Sequence, residues 1–352
     1  MSKPLDTLWY THSPVPTGLG IAVQSGRLAE AFLPFGTNIQ SLRESSEREV
    51  REAHYDHHLK NSVRHGGNIP AIWAYASGVQ TRVVGLSWSD EVQLILTTAE
   101  SGIKSVRDLK NRRFGIPKWA NVQIDFTRAQ ALRGLENALK LEGLDVSDVE
   151  LVDYPYGGTY SDDQKQHVYG SEVSLGTSRF SRRNNELIGL LRGDIDAIFL
   201  KGAHAVHLAD EFGLQVVIDT GSHPDPLIRS NNGTPRTLTL DTHLLHEHFD
   251  ASVTIVDTVL RTEQWAWANP DETRRFLARE LNTSEYWAAA AYGEDAHRRL
   301  RTTLDTRSIA ALQDFTDFLH RWHFIPRRFD VRDWIDFSVL EKVIGSTSRL
   351  AV

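Results

Sequence analysis

Twice before Ala76 a short apolar run stops in a polar, glycine- or proline-bearing loop and restarts at helical spacing. The first junction passes from Leu8-Trp9-Tyr10 through Thr11-His12-Ser13-Pro14-Val15-Pro16-Thr17-Gly18 into a helical pattern over 19–32, broken at Gly26. The second is Arg64-His65-Gly66-Gly67-Asn68-Ile69-Pro70, followed by Ala71-Ile72-Trp73-Ala74-Tyr75-Ala76, with proline at an early helical position. A strand that ends in such a loop presents side chains and free backbone N–H groups at a helix N-terminus, where the dipole favours an anion. Two junctions of this kind are what a small anion site in an open α/β lobe requires. Ser13 is the side chain placed to touch a ligand; the competing reading makes Ser13 and Thr17 plain loop and N-cap residues.

The rest of the chain keeps alternating. Strand patterns are expected at 38–42, 81–87, 92–98, 113–117, 149–152, 193–199 and 214–219, with 81–87 and 92–98 as neighbours. Helical patterns cover 105–110, 122–141 (stopped by Gly143), 187–191 and 204–212. The charged stretch 46–59 reads as an exposed helix, and 156–176, rich in Gly, Ser, Tyr and Asp, as a polar connection acting as a flap over a cleft. From Asp241 onward the pattern is almost entirely helical. Such alternation indicates a parallel α/β architecture, and 352 residues suffice for two lobes. The lobes are placed at 1–112 with 220–352, and at 113–219.

Composition narrows the function. A net charge of −7 lacks the basic footprint of a nucleic-acid binder. Without cysteine the chain has no disulfide, no thiolate metal site and no cysteine nucleophile. The opening Met1-Ser2-Lys3-Pro4-Leu5-Asp6 has no apolar signal core, and no run is long enough to span a bilayer, so a cytoplasmic soluble protein is expected.

Two segments, Val106-Arg107-Asp108-Leu109-Lys110-Asn111-Arg112-Arg113-Phe114-Gly115-Ile116 and Leu190-Leu191-Arg192-Gly193-Asp194-Ile195-Asp196-Ala197, resemble those of the type II periplasmic-binding-protein fold. That fold serves nitrate, sulfonate and taurine receptors: two α/β lobes around a cleft, here with a helical C-terminal segment. The opening loop, and His54 followed at a matching interval by Arg64-His65-Gly66-Gly67-Asn68-Ile69-Pro70, are similar to those of the sulfinate desulfinases, cytoplasmic enzymes on this scaffold. The resemblance implies a site in which Ser13 stands where the family has its catalytic cysteine. It further implies that His54 assists, and that Arg64 and the Gly67 N–H hold the sulfinate oxygens.

On their own terms, Arg64 is either an ion-pair residue or a guanidinium fork that binds an oxyanion bidentately beside Gly66 and Gly67. His54 is either an exposed helical histidine among Arg51, Glu52 and Asp56 or the base that a serine hydroxyl needs to become a nucleophile. His54, Asp56, His57 and His58 have metal-compatible spacing but no accompanying base motif, and no metal or other cofactor is expected. Trp73, Trp88, Trp119 and Tyr156 are core or pocket aromatics; Trp119, after the strand ending at Pro117, is the preferred ligand wall, and His12 joins the binding set. Asp194 and Asp196 are turn residues. The expected function is a desulfinase-like enzyme acting on a small, aromatic sulfinate or related acid. The alternative is a non-catalytic small-anion binding protein of the importer type, and a pyrimidine-forming enzyme on this scaffold ranks last.

Overall fold

The computed structural model describes residues 5–160 and 184–350. Its strands form two sheets of six and five strands. In the first, β1 (Thr7–His12) lies parallel between β2 (Asn38–Ser41) and β3 (Ser62–Gly66), with Trp9 opposite Gln40 and Ser62. Beyond β3, β10 (Arg236–Asp241) runs antiparallel to it and to β4 (Thr81–Ser87), and the short β11 (Thr302–Thr303) edges β4. In the second sheet β6 (Arg113–Trp119) is parallel to β7 (Glu150–Tyr156) and β8 (Ala197–Lys201). There β5 (Gln93–Thr97) runs antiparallel to β8 and to β9 (Gln215–Asp219).

Both sheets are therefore mixed, where the alternation predicted parallel ones. The difference arises at β10 and β5, whose directions are set by where the chain re-enters each sheet rather than by a local crossover helix. β10 also escaped the sequence reading. Its residues Arg-Thr-Leu-Thr-Leu-Asp are all buried, so the threonines that look solvent-facing in sequence face protein instead. β4 and β5 are not neighbours; they belong to different sheets.

The chain divides into a first unit of Met1–Ser89, Asn232–Ala289 and Gly293–Val352, and a second of Asp90–Asn231 with Ala290–Tyr292. Two of the crossings fall at 89/90 and 231/232, where 112/113 and 219/220 were expected, and residues 290–292 cross once more; the first comes earlier than expected because β5 is hydrogen-bonded into the second sheet. Leu8, Val63, Val84, Leu238 and Leu240 from the first sheet pack with Ile255, Val256 and Val259 of the helix Phe249–Ala268. Each such side chain contributes about 1.5–3 kcal/mol on burial. The second unit has its own core, including Leu94, Leu96, Leu187, Leu190 and Ile198.

Locally the punctuation acts as its chemistry requires. Gly26, at φ 79°, separates the helices Gly18–Gln24 and Arg27–Phe32. The expected exposed helix is Arg48–Asp56, and it is not exposed all round: Arg51 and His54, three apart and so on one face, are buried with Ala53. After β10 the described chain is helical apart from β11. The flap expected at 156–176 lies, from 161 on, outside the described residues.

Candidate functional site

Because β1 and β3 are parallel neighbours, their C-terminal ends emerge side by side, with His12 opposite His65. The Ser13 N–H donates to the His65 carbonyl at 3.1 Å, locking the first loop onto the second. Thr17 caps Gly18–Gln24 by accepting the Gly20 N–H at 3.0 Å. Gly67 is the N-cap of the helix Asn68–Ala76, so its N–H is free to serve the loop opposite. It donates to Ser13 Oγ at 3.3 Å, and Arg64 Nη2 donates to the same oxygen at 3.4 Å. Gly66 permits this approach: a Cβ there would stand 2.1 Å from Ser13 Oγ. On Gly67 a Cβ would meet Asn232 Oδ1 at 2.4 Å, the atom that accepts the Ile69 N–H at 3.2 Å.

Arg64 is 4% exposed. Its Nε donates to the His54 carbonyl at 3.2 Å and its Nη1 to the Gly67 carbonyl at 2.7 Å. Two edges of the fork are therefore spent on backbone, and Nη2 alone points at Ser13. Burial lowers the guanidinium to about 10, opposed by the nearby Tyr55, so it stays charged at neutral pH. Among the described residues no carboxylate pairs with it.

Histidines surround this cation and are held neutral. Desolvation, and next the Arg64 charge, press His54 and His57 well below the ordinary imidazole value. His65 falls to about 3, through burial and then Arg236 and Arg64. His54 Nδ1 pairs with the Thr11 hydroxyl at 2.7 Å, and His65 Nε2 with the Ser87 hydroxyl at 2.9 Å. His57 Nε2 is buried with no hydrogen-bond partner among the described residues, beside a cavity of about 10 Å³ lined by Thr11, His57, Arg64, Thr239 and Asp241 among others. That is roughly the room one water needs. His12 turns to Glu280 on the helix Pro270–Leu281, Nδ1 to Oε1 at 2.5 Å, and Gln24 Nε2 donates to the other Glu280 oxygen at 2.8 Å.

Of the residues singled out in sequence, Ser13, Arg64, Gly66 and Gly67 are brought together. His54 meets Arg64 through its backbone carbonyl, and its ring bonds to Thr11; the hydrogen bonds on Ser13 Oγ come from two donors and from no base. His12 is engaged with Glu280. Trp119 belongs to the second unit, where it is the last residue of β6 rather than a loop residue. There it stacks on Tyr156 at 4.9 Å between centroids, and its N–H donates to Asp125 Oδ2 at 2.7 Å. Thr11, His65, Asn232 and Glu280 were not anticipated; no local pattern marks them, since each acts through a partner distant in sequence. His54 faces inward while His58 pairs with Asp56 on the exposed side, so the metal-like spacing does not converge. Among the described residues no three His, Asp or Glu side chains are grouped to hold a metal ion, and no helix is long and apolar enough to cross a membrane.

No family model matches the chain. It is weakly homologous to the 2'-hydroxybiphenyl-2-sulfinate desulfinases of Rhodococcus erythropolis and Rhodococcus qingshengii, at 24% identity over 336 residues, 89% of this chain and 87% of each relative. Among solved structures it is similar to a cysteine-to-serine mutant of the desulfinase DSZB in complex with biphenyl-2-sulfinic acid. That likeness has a TM-score of 0.74 at 23% identity and covers 97% of this chain and 99% of that one. The periplasmic aliphatic sulphonate binding protein SsuA from Escherichia coli matches at a TM-score of 0.60 and 17% identity, over 94% of this chain and 92% of that one. These likenesses establish the fold as periplasmic-binding-protein-like, with two mixed α/β sheets and a helical C-terminal segment.

Proposed function

We propose that this chain binds a small organic oxyanion, a sulfinate or sulfonate, at Ser13, Arg64 and the Gly67 N–H. One observation carries the reading: Arg64 is a buried guanidinium with no carboxylate partner among the described residues. Burying a charge without a counter-charge costs several kcal/mol, so a site that keeps one has use for an anion. The neutral histidines around it leave that positive charge undiluted by any acid. Arg64 Nη2–H, the Gly67 N–H and the Ser13 O–H offer three single donors, which suits an oxygen-rich head group. The weak homology to sulfinate desulfinases and the likeness to a sulphonate binding protein support the same ligand class.

Calorimetry with biphenyl-2-sulfinate, an alkanesulfonate and benzoate tests this. At least one should bind, and Arg64→Ala should weaken it on the order of 100-fold, the worth of a charged hydrogen bond and a lost counter-charge. If none binds to the folded protein, the reading fails.

A second reading, favoured by the desulfinase homology, is hydrolysis of the carbon–sulfur bond: ArSO2⁻ and H2O give ArH and HSO3⁻. Ser13 and His54 are its proposed chemical residues, with Arg64 and Gly67 holding the oxygens. Two features weigh against the direct step. A serine hydroxyl needs a positioned base, and the ring of His54 is bonded to Thr11. Sulfite release is the assay. Wild-type turnover establishes this reading; turnover gained only by Ser13→Cys shows an intact pocket awaiting a thiol. A cytoplasmic location, which we also propose, would fit the hydrolytic reading better than the importer one, and fractionation of the native host tests it.

A further inference from the structure

The helix Asn68–Ala76 does not cap itself in the ordinary way. An N-cap side chain accepts from the N–H of the second or third helical residue. Here the N-cap is Gly67, which has no side chain, and the third residue is Pro70, which has no N–H. The N–H left for a cap is that of Ile69, and it donates to Asn232 Oδ1 at 3.2 Å. Asn232 stands where the absent side chain would be: a Cβ on Gly67 would lie 2.4 Å from its Oδ1, 3.0 Å from its Cγ and 3.2 Å from its Nδ2. The same segment holds the helix start a second time, since Asn68 Nδ2 donates to the Pro235 carbonyl at 2.9 Å. Both contacts lie within the first unit, which the chain re-enters at Asn232 just ahead of β10.

We propose that Asn232 is a positioning residue of the oxyanion site: it caps the helix Asn68–Ala76 on behalf of Gly67, and so fixes the Gly67 N–H toward the ligand while adding no negative charge. The inference rests on the oxyanion reading above and concerns how one of its donors is held. Gly67 links two parts of that site, its N–H reaching Ser13 Oγ at 3.3 Å and its carbonyl accepting from Arg64 Nη1 at 2.7 Å. Securing the turn that begins at Gly67 therefore secures the amide donor on one side and a support of the guanidinium on the other. Donors fixed in advance lose less freedom when the ligand arrives, so the cap acts on affinity through pre-organisation. Asparagine and aspartate cap helices about equally well, and a carboxylate gains further from the helix dipole. What separates them here is charge. A carboxylate against Gly67 would face the bound anion and offer Arg64 a rival counter-charge.

The test uses biphenyl-2-sulfinate as the probe on wild type, Asn232→Asp and Asn232→Ala. Asn232→Asp keeps the capping acceptor, so its melting temperature without ligand should equal or exceed that of the wild type. Calorimetry should nevertheless show sulfinate binding weakened roughly tenfold or more, the effect of a like charge a few ångströms away. A merely structural cap predicts wild-type affinity instead. Asn232→Ala removes the cap, and its readout is the Gly67 amide proton by NMR at saturating sulfinate. That resonance should move downfield in the wild type and less in Asn232→Ala, whereas a protein that is only less stable gives the full shift once saturated. The Gly67 resonance carries the test if Asn232→Asp loses its native circular dichroism. Wild-type affinity in Asn232→Asp, or the full shift in Asn232→Ala, overturns this inference and leaves the oxyanion reading standing. A folded wild type that binds no anion overturns both.

Discussion

At the scale of single residues, Arg64 and Gly66 carry the site in opposite ways, one by a charge and the other by the lack of a side chain. Gly66→Ala would place a Cβ 2.1 Å from Ser13 Oγ in a buried strand end, and Ser13 must turn away or the strand must shift. Overpacking of this kind costs about 1–3 kcal/mol, so the urea midpoint should drop and sulfinate binding should weaken together. A variant as stable and as tight-binding as wild type would show that the contact is not tight. Glu280 is the residue-scale counterpart outside the site. It accepts from His12 and from Gln24, and Glu280→Ala leaves both donors without it. Gln24 Nε2 keeps its bond to the Phe276 carbonyl at 3.3 Å, so the expected loss is that of two hydrogen bonds to a carboxylate, about 1–3 kcal/mol, read as a lower melting temperature. An unchanged melting temperature would sink that account. The loops that bring Ser13, Gly66 and Gly67 together were legible in sequence, because glycine and a loop serine mark the backbone locally. Glu280 was not, because nothing near position 280 refers to position 12.

Among the secondary elements, the helix Arg48–Asp56 and β11 show how an element's neighbours reassign its residues. The helix is charge-rich, yet its His54 lies against Thr11 and supplies the carbonyl that holds Arg64 Nε. β11 is only two residues long and is tied to the helix Phe249–Ala268 by Glu263, which accepts the Thr302 N–H at 2.8 Å and the Thr302 hydroxyl at 2.6 Å. Burial pushes the Glu263 carboxyl up to about 7 despite these bonds. Glu263→Gln keeps one acceptor and removes the ionisable group. It should fold normally, and its stability should no longer carry the Glu263 proton between about pH 4.5 and pH 7. Identical pH profiles for wild type and Glu263→Gln would show that Glu263 does not titrate there.

For the whole molecule, buried titratable groups act in opposing directions on stability. Glu263 binds its proton up to about pH 7 when folded but only to about 4.5 when unfolded, so across that window its contribution falls as pH rises. Asp241 and Glu186 are raised by burial too, and act in the same direction nearer the ordinary carboxylate range. His54, His57 and His65 work against them: depressed below the ordinary 6.5, they stay neutral when folded while the unfolded chain takes up protons. Their contribution is full above 6.5 and is lost as pH falls. Each linked proton is worth about 1.4 kcal/mol per pH unit, and between pH 5.5 and 7 three histidines outweigh one carboxyl. The urea midpoint should rise from pH 5.5 to about 7 and then level, more steeply in Glu263→Gln; a flat profile would contradict the buried, neutral histidines. At this scale the division between sequence and tertiary structure is clear. The sequence by itself determined the strand–loop–helix junctions and the helical C-terminal segment, since caps, glycine and hydrophobic period act within a few residues of where they are written. Only the tertiary structure decided the mixed sheets, the β10 strand and the crossings at 89/90 and 231/232. It also decided that Arg64 is buried among neutral histidines and that Ser13 faces donors instead of a base, because pairing and desolvation are set by residues the fold brings in from far along the chain.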